Sequence, residues 1–81
     1  MTDIPNRYSS IFNNGKQSEF VDAIKKFAYR VQSEGTGRLQ VFVSVYEVDR
    51  LKSVIVQYGA RLLSEHYEDR IGLTVAKIVE P

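Results

Sequence analysis

The sequence predicts a single α+β domain in which two helices cover one face of a three-stranded sheet, in the order α-β-α-β-β. Three observations predict this fold class: a helical apolar pattern beginning near Ser18, strict alternation over Leu39–Tyr46, and a second helical stretch followed by two β segments. A chain of 81 residues supports one domain with a small core. We therefore assign residues 1–17 to an N-terminal arm and residues 18–81 to the domain.

The composition is that of an ordinary globular protein. Lys and Arg number 11, Asp and Glu number 10, and the net charge is +1, which indicates neither disorder nor a strongly basic nucleic-acid binder. The chain has no cysteine, which excludes disulfides and thiolate metal sites and fits a reducing compartment. With no signal-peptide pattern and no long apolar run, we expect a cytoplasmic protein without a transmembrane helix.

The arm shows neither helical nor strand periodicity and contains Pro5 and the turn sequence Asn13-Asn14-Gly15. It nevertheless carries several apolar side chains, so we expect it to pack on itself or on a partner. These side chains are Ile4, Tyr8, Ile11 and Phe12.

The first helix is predicted to begin after Ser18, a good N-cap, and to run to about Ser33. Apolar side chains recur at helical spacing along it, and Gly35 is predicted to provide a left-handed C-cap. The recurring positions are Phe20, Ile24, Phe27 and Val31.

The remaining elements are predicted from alternation and turn residues. Leu39–Tyr46 is predicted as a strand, Val48–Tyr58 as a helix closed by Gly59, and Arg61–Tyr67 and Ile71–Val79 as a hairpin. A right-handed crossover places the first two strands parallel, with the last strand between them, in the order 1-3-2. Both helices then cover one face, and the other face, with Phe42 and Tyr46, has no predicted cover.

The stretch from Tyr46 through Gly59-Ala60-Arg61 and Glu68-Asp69-Arg70 to Ala76 resembles the C-terminal domain of IMPACT-type proteins and domain V of elongation factor G. Phe20–Arg38 is similar to the last helix of those domains, in swapped order. The resemblance implies a ferredoxin-like two-layer sandwich that lacks one edge strand, and a binding or regulatory role. It also implies an unpaired edge on the first strand, which invites pairing with another copy. We expect a homodimer joined through this strand or through the uncovered sheet face.

Candidate catalytic and metal-binding residues are sparse. Glu65, His66, Glu68 and Asp69 form the only cluster that contains a histidine, and too few of these ligands converge for a metal site. Ser64 and His66, two residues apart on a strand, are poorly placed for nucleophilic catalysis. The sequence therefore predicts no catalytic residue, no metal, no cofactor and no enzymatic activity.

The aromatic content favours a protein-binding function, since five tyrosines and four phenylalanines occur in the chain and aromatic side chains dominate interfaces. We expect a small interaction or regulatory protein that binds a partner protein through the open sheet face and the arm. An inhibitor of a host or viral enzyme fits the same description. The candidate partner-binding residues are Tyr8, Phe12, Tyr29, Phe42 and Tyr46.

The alternative is an RNA-binding or single-strand-binding module. In it, Phe42 and Tyr46 would stack on bases, and phosphate contacts would come from Lys25, Lys26, Arg30 and Arg38. Salt separates the two functions, because phosphate contacts weaken steeply as salt rises. A third alternative, a small-molecule pocket at a dimer junction, needs convergent polar groups that the sequence does not locate.

Overall fold

The computed structural model describes residues 17–81, which form two helices and four strands in the order α-β-β-α-β-β. Helix α1 covers residues 17–25, and helix α2 covers Val48–Tyr58 after a 3-10 turn at Val45–Glu47. The strands are β1 (Arg30–Ser33), β2 (Arg38–Val43), β3 (Arg61–Glu68) and β4 (Leu73–Val79). They form one antiparallel sheet in the order β1-β2-β4-β3.

The predicted ferredoxin-like fold, with the order α-β-α-β-β and a three-stranded sheet, is wrong. The prediction extends the first helix to about Ser33, over residues that form a strand. Helix α1 ends at residue 25, and the N–H groups of Phe27 and Ala28 close its last turn by donating to the carbonyl of Ile24. The chain then extends into β1, where the β-branched Val31 pairs with Val41 of β2. The sheet therefore has a fourth strand at its edge.

The glycine turn after β1 closes a hairpin, where the sequence predicted a helix cap. Gly35 and Gly37 have φ of 110° and 74°, a backbone that only glycine adopts readily. The N–H of Glu34 donates to the carbonyl of Arg38 at 2.9 Å across this turn. Strand β2 consequently has neighbours on both edges, so two copies cannot pair through it. A homodimer as such stays a prediction.

The second half of the chain agrees more closely with the sequence pattern. Helix α2 has the predicted bounds, Gly59 ends it with φ of 74°, and β4 lies between β2 and β3 as predicted. Strand β2, however, stops at Val43. Ser44 accepts a hydrogen bond from the N–H of Tyr46 at 3.2 Å and caps the 3-10 turn, which takes Tyr46 off the sheet.

The core lies between the two helices and one face of the sheet. Helix α1 contributes Phe20 and Ile24, helix α2 contributes Leu51 and Ile55, and the ring of Phe20 lies 5.7 Å from that of Tyr58 at 57°. The sheet contributes Leu39, Val41, Val43, Ala76 and Ile78 to this core. Because strand side chains alternate, Phe42 and Gln40 of β2 and Val75 and Lys77 of β4 point to the opposite face, which no described helix covers.

Among the described residues, neither helix has the length and apolar character needed to cross a membrane. The cytoplasmic location stays a prediction.

Candidate partner-binding surface

We call the sheet face opposite the two helices the open face, and the strand register defines which residues it carries. Phe42 of β2 pairs with Arg30 of β1 and with Val75 of β4, and Val75 pairs with His66 of β3. Paired residues of an antiparallel sheet share a face, so these four side chains form one row across the sheet. The first prediction about this surface, that Phe42 faces away from the helices, is confirmed.

Two further rows lie along the strands beyond this one. Positions two residues apart on a strand lie about 7 Å apart, so the rows are separated by that distance. The second row is Gln32, Gln40, Lys77 and Ser64, and the third is Arg38, Val79 and Arg61.

A hollow of about 480 Å³ lies at one end of the open face. Its walls are largely apolar, and two of them are formed by exposed side chains, Tyr29 at 77% and Ile71 at 51% exposure. Such a recess with an apolar rim is suited to hold an apolar side chain of another molecule. The residues that line it are Tyr29, Arg30, Phe42, Ile71 and Leu73.

Local backbone geometry places the two exposed walls. The N–H of Tyr29 donates to the carbonyl of Phe42 at 2.8 Å, which holds the start of β1 against β2. At the other wall, the turn between β3 and β4 is closed by the N–H groups of Ile71 and Gly72, which both donate to the carbonyl of Glu68. Gly72 has φ of 69°, so this tight turn depends on glycine.

The open face is rich in cations. The register places Arg30, Arg38, Arg61 and Lys77 on it. Within residues 17–81, no carboxylate lies within 4 Å of the guanidinium groups of these three arginines. Positive charge therefore begins at the hollow, with Arg30, and continues along the sheet.

Two carboxylates lie close to basic side chains of this face. Glu34 lies 4.0 Å from Lys77, and Glu68 lies 3.9 Å from the Nε2 atom of His66. Both separations are at the outer limit for an ion pair and join exposed groups, so each contributes little. The positive charge of the face is thus only partly compensated by described residues.

The closest ion pair among residues 17–81 lies on the other side of the sheet. The Nζ atom of Lys52 on α2 is 2.7 Å from a carboxylate oxygen of Glu65 on β3. The hydrogen bond to Glu65 and the negative charge of that carboxylate raise the pKa of Lys52 above its ordinary value. Glu65 therefore faces α2 while His66 faces away. The two residues belong to the cluster considered above for metal binding, and the sheet places them on opposite faces. Residues 17–81 contain no group of three side chains able to hold a metal.

The structure brings together two of the predicted partner-binding residues. Tyr29 and Phe42 both line the hollow, whereas Tyr46 lies in the 3-10 turn beyond β2, is 91% exposed and does not line it. Tyr8 and Phe12 lie outside the described residues. Tyr46, Tyr8 and Phe12 stay predictions as partner contacts, but the placement of Tyr46 beside Phe42 on a strand is wrong.

The predicted phosphate-contacting residues are divided between two surfaces. Arg30 and Arg38 lie on the open face, whereas Lys25 and Lys26 are exposed at the end of α1. Sequence reasoning missed Arg61 and Lys77 as members of this face. The alternation of β4 was visible in the sequence, but the register that places Lys77 beside Gln40 and Ser64 was not.

Comparison with known proteins found no matching family model, curated protein or solved structure. Nothing in these comparisons links the chain to IMPACT-type proteins or to domain V of elongation factor G. The geometry of the open face is therefore the basis on which a function can be assigned.

Proposed function

We propose that this protein is a small interaction protein, without catalytic activity of its own, that binds a partner protein through the open face. The observation that carries the proposal is the hollow between Tyr29 and Ile71, which exposes apolar walls on a face that no described helix covers. Exposed apolar surface grouped in one recess is a common mark of a protein interface.

The packing beneath the hollow supports this function. Val75, which lies next to Phe42 in the sheet, is only 4% exposed, and Phe42 itself is half-buried. The floor of the hollow is therefore held by the sheet, and its geometry does not need to form when a partner arrives. A preorganised recess lowers the entropy that binding costs.

Binding of single-stranded nucleic acid is the second candidate, and the cations around Phe42 favour it. A stacking platform also needs accessible aromatic faces, however, and Phe42 is half-buried while Tyr46 lies off the sheet. Of the rings in residues 17–81, Tyr29 alone remains well exposed at the hollow. The open face therefore fits an apolar side chain of a protein better than a row of stacked bases.

The proposal can be tested without knowing the natural partner. Random twelve-residue peptides displayed on phage are selected on the wild-type full chain, and the affinity of each enriched peptide is then measured on the wild type and on the variant Ile71→Ser. We expect enriched peptides that bind the wild type and lose at least about tenfold in affinity on Ile71→Ser, because the variant removes an exposed apolar wall.

The matched control is Val56→Ser, which removes an exposed apolar side chain from α2, on the helix side of the molecule. It should leave peptide affinity unchanged. If every enriched peptide binds Ile71→Ser as well as the wild type, the hollow is not the binding site and the proposal fails.

The arm and the idea of an inhibitor belong to the same proposal. The full-chain variant with Tyr8→Ser and Phe12→Ser tests the arm, and we expect it to weaken binding of the natural partner without changing the affinity of peptides that bind the hollow.

An inhibitor of a host or viral enzyme would use the same face to block that enzyme. Loss of inhibition with Ile71→Ser would be the corresponding readout.

A further inference from the structure

We infer that the partner presents an acidic extended segment, in which one apolar side chain enters the hollow and carboxylates lie two and four residues away from it. This inference rests on the proposed function and names the chemistry of its partner. It depends on one observation: along the strands, the open face is apolar at the hollow and cationic in the rows beyond it.

The distance between the hollow and the cations matches the repeat of an extended peptide. Counting along β2 from the row of Phe42, the row that contains Lys77 is about 7 Å away and the row that contains Arg38 and Arg61 is about 14 Å away. An extended peptide also advances about 7 Å for every two residues. A segment that lies along β2 therefore brings its second and fourth residues from the anchor over these cations.

The charge of the face calls for an acidic partner. The register places three arginines and Lys77 on the open face, and within residues 17–81 the arginines have no carboxylate within 4 Å. An acidic segment would bring carboxylates to these arginines. Arg38 and Arg61 flank Val79 from both sides, at about 5 Å each. A carboxylate above Val79 would lie between two guanidinium groups.

Arg30 adds a cation at the hollow itself. Its guanidinium places positive charge on the rim of an apolar recess, so the anchor end of the segment also favours an acidic partner. A purely apolar or basic partner would bury or oppose these cations, which is costly. The face therefore selects against such partners.

The experiment uses the hollow-dependent peptides from the phage selection and measures affinity by fluorescence anisotropy. We expect an apolar anchor with Asp or Glu two and four residues away, and a fall in affinity of about fivefold to tenfold for the variant with Arg38→Gln and Arg61→Gln. The control with Lys25→Gln and Lys26→Gln removes the same charge at the end of α1 and should have no effect. A synthetic peptide with Lys in place of each acidic residue should not bind.

Each other outcome overturns the inference. Peptides that need Ile71 for binding but are not enriched in acidic residues, or that bind both charge variants equally, would support the proposed function and contradict the acidic segment. If no enriched peptide needs Ile71, both the proposed function and the acidic segment are contradicted. Tighter binding of a twelve-nucleotide oligothymidylate than of any peptide, with the same loss on Arg38→Gln and Arg61→Gln, would assign the face to nucleic acid.

Discussion

Gly59 ends helix α2 in a left-handed conformation, with φ of 74°. Its N–H donates to the carbonyl of Val56 and that of Ala60 donates to Ile55, so the last turn is closed by the backbone. A Cβ atom added at Gly59 meets no other atom within 4 Å. We therefore expect Gly59→Ala to lower the free energy of unfolding by about 1 kcal/mol through backbone strain alone. Urea denaturation of the variant and the wild type measures this difference in the free energy of unfolding.

The control for this variant is Gln57→Ala, an exposed position in the same helix where alanine fits the backbone. It should change the free energy of unfolding by less than about 0.5 kcal/mol. A Gly59→Ala variant with an unchanged urea midpoint would show that the helix can end without the left-handed residue.

Residue-scale features that depend on local chemistry were predictable. The end of α2 at Gly59 and the outward direction of Phe42 both follow from patterns within a few residues. Tyr46 was not predictable in the same way. The alternating pattern favours a strand that includes Tyr46, whereas Ser44 favours a turn at the same residues. The hydrogen bond from the N–H of Tyr46 to the Ser44 side chain stabilises the turn.

At the scale of elements, the ion pair of Lys52 and Glu65 joins α2 to β3. Glu65 raises the pKa of Lys52 above the ordinary 10.5, so the folded chain binds this proton more tightly than the unfolded chain. The stabilisation is complete below pH 10.5 and is lost as the pH rises through the higher folded pKa. We expect the difference in urea midpoint between wild type and Lys52→Gln to be larger near pH 9 than near about pH 11.5.

The variant Lys25→Gln, at an exposed position of α1, controls for the general effect of removing one lysine. A Glu65→Gln variant should remove the pH dependence that Lys52→Gln removes, because the two side chains act as one pair. If the difference between wild type and Lys52→Gln stays constant across this range, the ion pair does not form in solution.

The misjudged element is the segment after α1, and its failure has a tertiary cause. Phe27 and Val31 continue the helical spacing of Phe20 and Ile24, so periodicity alone extends the helix. Strand β1 exists because β2 offers it an edge to pair with, which a local pattern does not contain. The same reasoning applies to the open face, whose cations come from separate strands and are joined only by register.

At the scale of the whole molecule, the two edges of the sheet differ in how they meet another strand. Strand β3 has a register shift between Leu62 and Ser64 and carries the charged Glu65 and the titratable His66, which are features that disfavour pairing. Strand β1 has no such irregularity in its pairing. The predicted homodimer therefore has one suitable edge, in place of the strand β2 that the sequence suggested.

We expect the homodimer to form by antiparallel pairing of two β1 strands. The N–H of Glu34 donates to Arg38 within the hairpin, so by alternation the backbone groups of Val31 and Ser33 point away from β2. Ser33→Pro removes one outward N–H and should yield a monomer in light scattering at micromolar concentration. Ser33→Ala keeps that N–H and should remain dimeric. A monomeric wild type would exclude the homodimer, and a dimeric Ser33→Pro variant would exclude pairing through β1.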